Sequence, residues 1–168
     1  MRDDRLRASF HTMTIGDLLE PGAVVLRVSA SNKRQVLGVI ADVAARVFGV
    51  DVDETLEGLV DREAASSTGV GQGVAIPHAR LAGLDRVRAV FMRLETPVAF
   101  GSVDDKPVDL LVALFAPKDA DSSHLRALAR ISRLMREPDM REQLRKARSA
   151  DAVHVMLTQA HESKPTAA

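Results

Sequence analysis

One apolar stretch in the second half of the chain places the tightest limit on its fold. Residues 108–115 are hydrophobic apart from Asp109, and Pro117 ends the run soon afterwards. A stretch of this length that does not alternate with polar residues is typical of a central strand covered on both faces. Because helical patterns lie on both sides of it in the sequence, we expect an α/β fold, a single-domain sandwich in which a mixed β-sheet is flanked by helices.

Weaker patterns place the other elements around this strand. Further strands are predicted at residues 24–28 and 87–94, with a loop containing Pro97 and Gly101 after the second. Helices are predicted to begin at Thr14, Ser31 or Asn32, Asp51 or Asp53, Ser122 or Ser123, Glu137-Pro138 and Ser149. The first is stopped by Pro21-Gly22 and the second by Gly49. Three of these helices have a clear inward stripe. In the helix after Ser31 or Asn32 it is Val36, Val39, Ile40, Val43 and Val47; in the helix after Asp51 or Asp53 it is Leu56, Leu59 and Val60; in the helix after Ser122 or Ser123 it is Leu125, Leu128, Ile131 and Leu134 or Met135.

Length and composition fit one folded unit. The 168 residues are 46% hydrophobic, which suits a single buried core. We expect a flexible N-terminal segment at residues 1–12, one domain at residues 13–160 and a flexible tail at residues 161–168, since both ends lack a regular pattern.

Charge and cysteine content exclude several classes of function. The 23 basic and 23 acidic residues give a formal net charge of 0, which argues against a nucleic-acid partner. There is no cysteine, so neither a disulfide framework nor a thiolate metal site is available. No apolar run approaches the roughly 20 residues that span a membrane, and the charged N-terminus does not fit a secretory signal. We therefore expect a cytoplasmic protein without a membrane segment.

The stretch from residue 66 to residue 80 carries the chemistry. Its first half holds three hydroxyl residues and three glycines, namely Ser66, Ser67, Thr68, Gly69, Gly71 and Gly73. Glycines let backbone N–H groups converge on an anion, and hydroxyls add donors. Pro77 then fixes the backbone before His78. This combination suggests phosphoryl chemistry on an imidazole, although an ordinary turn is also consistent with the glycines. The segment is neither a P-loop nor a dinucleotide fingerprint, because no Gly-Lys-Ser/Thr follows and a helical pattern precedes it.

These motifs resemble the active-site signature of bacterial enzyme IIA proteins of the phosphoenolpyruvate phosphotransferase system, in the mannitol/fructose/nitrogen-regulatory group. The signature comprises Arg62-Glu63 and residues 67–71 and 73–78. The wider match runs from about residue 18 to 157 and includes residues 94–100, residues 107–111 and His124-Leu125. Within the family, the chain is most similar to the nitrogen-regulatory proteins. It departs from the usual pattern at Gln72, where Asn is common, and at Ala79-Arg80, where Gly is common.

The resemblance implies a mannitol-type enzyme IIA fold and a phosphohistidine at His78, on its Nε2 (tele) nitrogen. The donor would be the phosphohistidine of an HPr-like carrier. Arg62 and His124 would stabilise the transferring group, and a phosphoryl-binding loop would be formed by Ser67, Thr68, Gly69, Gly71 and Gly73. No cofactor or metal is implied.

Elementary chemistry is compatible with these roles and also offers alternatives. A histidine with a pKa near 6.5 presents a neutral nucleophile near neutral pH, and an arginine offers a bidentate fork to phosphate. Arg62 could instead pair with Asp61 or Glu63, and His124 could be a solvated histidine in a capping turn. A zinc site at His78 and His124 would need Asp119 or Asp121 as a third ligand, and no metal-ligand spacing supports it. The other histidines, His11, His154 and His161, are predicted to be surface residues.

Three functions remain for such a chain. The first is a phosphocarrier that acts chiefly as a regulator of nitrogen- or potassium-linked targets, such as sensor kinases or potassium transport proteins. The second is a sugar-specific enzyme IIA that passes phosphate to a IIB domain. The third is a binding module that is not phosphorylated. The set of Arg62, His78 and His124 favours a phosphocarrier, and the absence of a membrane segment or second carrier domain leads us to expect the regulator.

Overall fold

A computed structural model of the chain describes residues 13–160, and the predicted flexible ends at 1–12 and 161–168 lie outside this range. Within it, six strands form one sheet: β1 Val24–Val28, β2 Gly69–Gly71, β3 Val74–Ala75, β4 His78–Leu81, β5 Arg88–Val98 and β6 Val108–Pro117. The helices are α1 Ile15–Leu18, α2 Lys33–Phe48, α3 Val52–Ala65, α4 Ser123–Met135, α5 Pro138–Lys146 and α6 Ala150–Gln159.

The predicted central strand is β6, and the mixed α/β architecture is confirmed. β6 pairs antiparallel with β5 on one side, and on the other it pairs in parallel with β3 and then with β4. The outer strands β1 and β2 complete the order β1-β5-β6-β3-β2. Every residue of β6 except Asp109 is buried, as its unbroken apolar sequence requires. Because β3 and β4 follow each other along the same edge of β6, the chain between them is fixed at both ends.

Two helix starts follow the predicted capping chemistry. The Asn32 side chain accepts a hydrogen bond from the Gln35 N–H at 2.9 Å, and Asp51 accepts one from the Glu54 N–H at 2.8 Å. Each such cap stabilises a helix by about 1 kcal/mol. Gly49 ends α2 in the left-handed conformation, with φ 73°.

Three predictions about local structure were wrong. β5 does not stop at residue 94 but continues through Pro97 to Val98. This is tolerated because the pairing of β1 with β5 ends at Leu94 and the register of β5 with β6 is irregular between Arg93 and Val98, so Pro97 has no partner in either strand. Leu125 is 69% exposed rather than inward. The α4 helix is not capped by a serine side chain, and the Asp121 carboxylate accepts the hydrogen bond from the Ser123 N–H instead.

The inward stripe of α3 is also narrower than predicted. Leu59 is buried, whereas Leu56 and Val60 are only half-buried, and Thr55 takes a fully buried position. None of the helices between residues 13 and 160 is long and apolar enough to cross a membrane.

Candidate active site

The glycine-rich stretch folds into a tight hairpin that leads directly to His78. β2 and β3 pair antiparallel, and Gln72 and Gly73 form the two-residue turn with φ 58° and 77°. Two-residue hairpin turns of this kind need positive φ, which glycine adopts freely and Asn more readily than Gln. This preference explains why Asn is common at the position that Gln72 takes in this chain. A Cβ at Gly73 would also collide with the Arg145 guanidinium.

His78 is the first residue of β4, half-buried and opposite Leu114 of β6. Its Nδ1 lies 3.0 Å from the Ile76 carbonyl oxygen. Since a carbonyl can only accept, Nδ1 carries the proton and Nε2 carries the lone pair. The Arg62 Nε–H donates to that Nε2 at 3.1 Å. Both ring nitrogens are therefore held, with Nε2 as the nucleophilic atom.

Arg62 reaches the ring from the last turn of α3. Its Nη1 also donates to the Ser66 carbonyl at 2.9 Å, just beyond the end of the helix. The alternative of an ion pair with Asp61 or Glu63 does not match this geometry, because Glu63 accepts from Lys33 and Thr68 instead. The guanidinium is thus hydrogen-bonded to His78 and to the Ser66 carbonyl.

His124 lies beside His78, in the first turn of α4. The two ring centroids are 5.5 Å apart with an interplanar angle of 77°. His124 is 6% exposed, so it is not a solvated histidine. Its Nε2 is buried and has no hydrogen-bond partner within residues 13–160. A buried polar atom of this kind calls for an explanation, and a ligand oxygen in the site would supply the partner.

Burial keeps both imidazoles neutral. It lowers the pKa of His78; the Ile76 carbonyl acts in the opposite direction, and the Arg62 charge lowers the pKa further. Burial also lowers the pKa of His124, with smaller contributions from His78 and Arg80. A neutral ring with a free lone pair on Nε2 is the form that can attack phosphorus.

Residues 17–160 match the family described as "Phosphoenolpyruvate-dependent sugar phosphotransferase system, EIIA 2". The chain belongs to this EIIA family. It is 41% identical over 145 residues to the nitrogen regulatory protein of Bradyrhizobium diazoefficiens, covering 86% of this chain and 95% of the relative. The resemblance inferred from the sequence motifs is therefore confirmed.

Solved structures of EIIA proteins agree with this assignment. The nitrogen regulatory protein IIA-Ntr from Neisseria meningitidis is similar with a TM-score of 0.81 and 34% identity, covering 86% of this chain and 99% of that one. The mannitol IIA of Escherichia coli has a TM-score of 0.69 and 20% identity, covering 82% and 97%. At that identity the second comparison concerns the fold alone, and it confirms the mannitol-type fold.

The Ser67 and Thr68 hydroxyls of the EIIA loop already have hydrogen-bond partners. The Ser67 hydroxyl donates to the Phe100 carbonyl at 2.8 Å and accepts from the Gly69 N–H at 3.0 Å. The Thr68 hydroxyl and N–H both donate to Glu63. A Cβ at Gly69 would collide with Ser102. The role of Ser67, Thr68, Gly69, Gly71 and Gly73 in holding a phosphoryl group stays a prediction, and their observed contacts shape the loop.

Other candidates from the sequence take different places in this EIIA domain. His154 is half-buried and its Nε2 lies 2.9 Å from the Leu19 carbonyl oxygen, so it is a packed residue rather than a surface one. His11 and His161 lie outside the described residues. Within residues 13–160, no group of three or more His, Asp or Glu side chains could hold a metal ion. Of the two carboxylates considered as third ligands, Asp121 serves as the backbone cap of α4.

Sequence reasoning missed the part played by Glu63 and Lys33. Glu63 was considered only as a counter-ion for Arg62, whereas its carboxylate joins Lys33 and Thr68 beneath the site. Its adjacency to Arg62 inside the family signature was the available signal. Lys33 is 30 residues away in sequence, and no local pattern connects it to the site.

Proposed function

We propose that this chain is a phosphocarrier in which His78 Nε2 accepts a phosphoryl group from the phosphohistidine of an HPr-like carrier. One observation carries the proposal: the ring is held by the Ile76 carbonyl with its lone pair on Nε2, beside the unpartnered Nε2 of His124. A neutral imidazole fixed in this tautomer can act as the nucleophile without losing a proton first.

The transfer step exchanges one P–N bond for another. The His78 Nε2 lone pair forms a bond to phosphorus while the carrier's P–N bond breaks and returns its electron pair to the carrier's ring nitrogen. The Nδ1 proton of His78 remains shared with the Ile76 carbonyl, which stabilises the positive character that the ring acquires. Phosphoryl transfer of this kind depends on positioning and charge stabilisation.

Arg62 and His124 provide that stabilisation in this proposal. Arg62 Nε leaves the ring nitrogen as the phosphorus approaches and donates to a phosphoryl oxygen instead. In the His124 tautomer with the proton on Nε2, this N–H donates to another phosphoryl oxygen and so gains the partner that it lacks. The phosphoryl-binding loop adds backbone N–H groups around the same anion.

A regulatory role follows from the relatives and from the charge change. The relatives from Bradyrhizobium diazoefficiens and Klebsiella oxytoca are both named nitrogen regulatory protein. Phosphorylation adds roughly −1.5 to −2 charge, by analogy with other phosphorylated side chains. At a half-buried histidine beside one arginine, this is enough to recruit or repel a target. We propose that the chain acts in the cytoplasm and that its targets are sensor kinases or potassium transport proteins.

Labelling tests the phosphocarrier role. Purified chain incubated with phosphoenolpyruvate, enzyme I and an HPr-type carrier is expected to gain one acid-labile phosphate, measured by intact mass. His78→Ala removes the nucleophile and should abolish the gain, whereas His154→Ala, a control histidine beside Leu19, should retain it. Equal labelling of His78→Ala and wild type would refute the assignment.

The sugar-specific alternative rests on the family description, which names a sugar phosphotransferase system. A pull-down with wild type, His78→Ala and His78→Asp separates it from regulation. Recovery of kinases or ion-transport proteins by only one charge form is expected for a regulator. A membrane sugar permease with its IIB domain as the dominant partner would favour the alternative, and unchanged partners in all three would favour an unphosphorylated binding module.

A further inference from the structure

Two hydrogen bonds hold the His78 ring, and both lead back to one buried pair, Glu63 and Thr68. We propose that Glu63, acting through Thr68, is the positioning residue that sets the tautomer and orientation of His78. Its importance for transfer rests on the proposed function, but the geometry it controls exists in the unphosphorylated chain.

Glu63 is an unusual residue to bury, since it is 7% exposed. Its Oε2 lies 2.5 Å from the Thr68 hydroxyl, and its Oε1 lies 3.0 Å from the Thr68 N–H and 2.9 Å from Lys33 Nζ. Burial alone would raise the pKa of Glu63, but the hydrogen bonds from Thr68 and Lys33 outweigh it, so the pKa is lowered. The carboxylate is thus ionised and accepts every one of these bonds.

The first route runs from Thr68 to His78 Nδ1. The Thr68 carbonyl accepts from the Ile76 N–H at 3.0 Å. The Ile76 carbonyl, on the same residue, accepts from His78 Nδ1 at 3.0 Å. Glu63 accepts from the Thr68 N–H and hydroxyl and so fixes Thr68. Thr68 in turn fixes Ile76, whose carbonyl orients the His78 ring.

The second route runs from Thr68 to His78 Nε2. The bond from Thr68 to Glu63 closes the short segment that follows α3, and Ser66 lies inside it. The Ser66 carbonyl accepts from Arg62 Nη1 at 2.9 Å, and Arg62 Nε donates to His78 Nε2 at 3.1 Å. Glu63 therefore restrains the carbonyl that orients the guanidinium.

Lys33 makes this arrangement compatible with an incoming anion. Its Nζ pairs with Glu63 and lies 4.8 Å from the centroid of the Phe100 ring. A negative charge next to Arg62 would otherwise oppose a phosphoryl group at His78. The ion pair leaves a rigid acceptor with little net charge.

The tautomer can be measured directly from the ¹⁵N chemical shifts of the His78 ring at pH 8, where the ring is neutral. Wild type is expected to show the Nδ1–H form. Thr68→Val removes the hydroxyl at nearly constant volume, and we expect it to raise the Nε2–H fraction. Thr68→Ser keeps the hydroxyl and should restore the wild-type ratio. Glu63→Gln is the second variant and should shift the ratio in the same direction as Thr68→Val.

Thr55→Val is the matched control. Thr55 is a fully buried threonine on the same helix whose hydroxyl donates to the Asp51 carbonyl at 2.7 Å, away from the site. The Thr55→Val variant loses a comparable hydrogen bond. If the tautomer responded only to a general loss of stability, Thr55→Val would change it as well. An unchanged tautomer in Thr68→Val and Glu63→Gln, or an equal change in Thr55→Val, would overturn the inference.

Transfer from the carrier gives a second readout. Thr68→Val is expected to accept phosphate roughly tenfold more slowly, which is the effect of losing one hydrogen bond from the transition state. Thr68→Ser is expected to accept phosphate at nearly the wild-type rate. If wild type itself is never labelled, the proposed function fails while the tautomer measurement still tests the positioning role. If labelling succeeds and the tautomer does not respond, only the positioning role fails.

Discussion

At the scale of single residues, the site depends on a histidine that is kept neutral and held at both nitrogens. Burial lowers the pKa of His78 and of His124, so both rings stay uncharged near neutral pH. The Ile76 carbonyl accepts from Nδ1 and leaves Nε2 unprotonated, so Nε2 is the nucleophile that we propose. Arg62 donates to that nitrogen, and in the proposed transfer it would release Nε2 to the phosphorus.

Arg62 and His124 are expected to act on the rate rather than on the fold. Arg62→Ala and His124→Ala each remove one charged or ligand-directed hydrogen bond, about 1.5–3 kcal/mol, and should slow phosphoryl acceptance roughly tenfold to a hundredfold in rapid-mixing assays. Arg46→Ala, an exposed arginine in the last turn of α2, is the control and should transfer at the wild-type rate. Wild-type rates in both variants would make Arg62 and His124 bystanders.

At the scale of elements, helices and strands that depend on residues close in sequence were predictable. Strands that depend on pairing with distant residues were not. The caps at Asn32 and Asp51 and the apolar strand β6 are local features, and the structure contains them. β2, β3 and β4 contain only three, two and four residues, so they carry no periodic signal. Their strand geometry comes from pairing with each other and with β6.

The outward position of Leu125 shows why helical spacing alone was insufficient. Ala127 and His124 occupy buried positions of α4, so the larger side chain of Leu125 points outward. Hydrophobicity predicted Leu125 in the core, whereas its neighbour His124 takes the buried position. We propose that this exposed apolar side chain, next to His124 and close to the proposed acceptor His78, contacts the carrier.

Leu125→Ser is therefore expected to weaken the encounter with the carrier. Because the side chain is 69% exposed, the melting temperature should change little. The KM for the carrier should rise roughly fivefold to tenfold, about 1 kcal/mol of lost apolar contact, with kcat nearly unchanged. Val155→Ser on α6, where the side chain is 48% exposed, is the control. A fall in kcat with an unchanged KM would contradict a docking role.

At the scale of the whole molecule, a formal net charge of 0 conceals an uneven distribution. The α3 helix carries five carboxylates and one arginine, whereas α4 carries three arginines and no carboxylate. His78 contacts Arg62 of α3 and lies beside His124 of α4. We propose that this uneven distribution between α3 and α4 favours one docking orientation of a carrier at His78.

The site residues were identifiable from sequence to the extent that they belong to a contiguous motif. Pro77-His78 and Arg62-Glu63 stand within the family signature, and His124 stands in a short His-Leu match. The links of Glu63 to Lys33 and Thr68 require the fold, because α2, α3 and β2 must first pack together. The same limit applies to Arg145, which reaches the Gln72 carbonyl across 73 residues.

The central claim, that His78 Nε2 is the phosphoryl acceptor, can be tested at the level of the atom. Chain labelled with ¹⁵N-histidine and phosphorylated through enzyme I and an HPr-type carrier should show phosphorus–nitrogen coupling at one ring nitrogen. We predict that this nitrogen is Nε2 of His78, since Nδ1 is hydrogen-bonded to the Ile76 carbonyl. Coupling at Nδ1 of His78, or at any nitrogen of His124 or another histidine, would contradict the account.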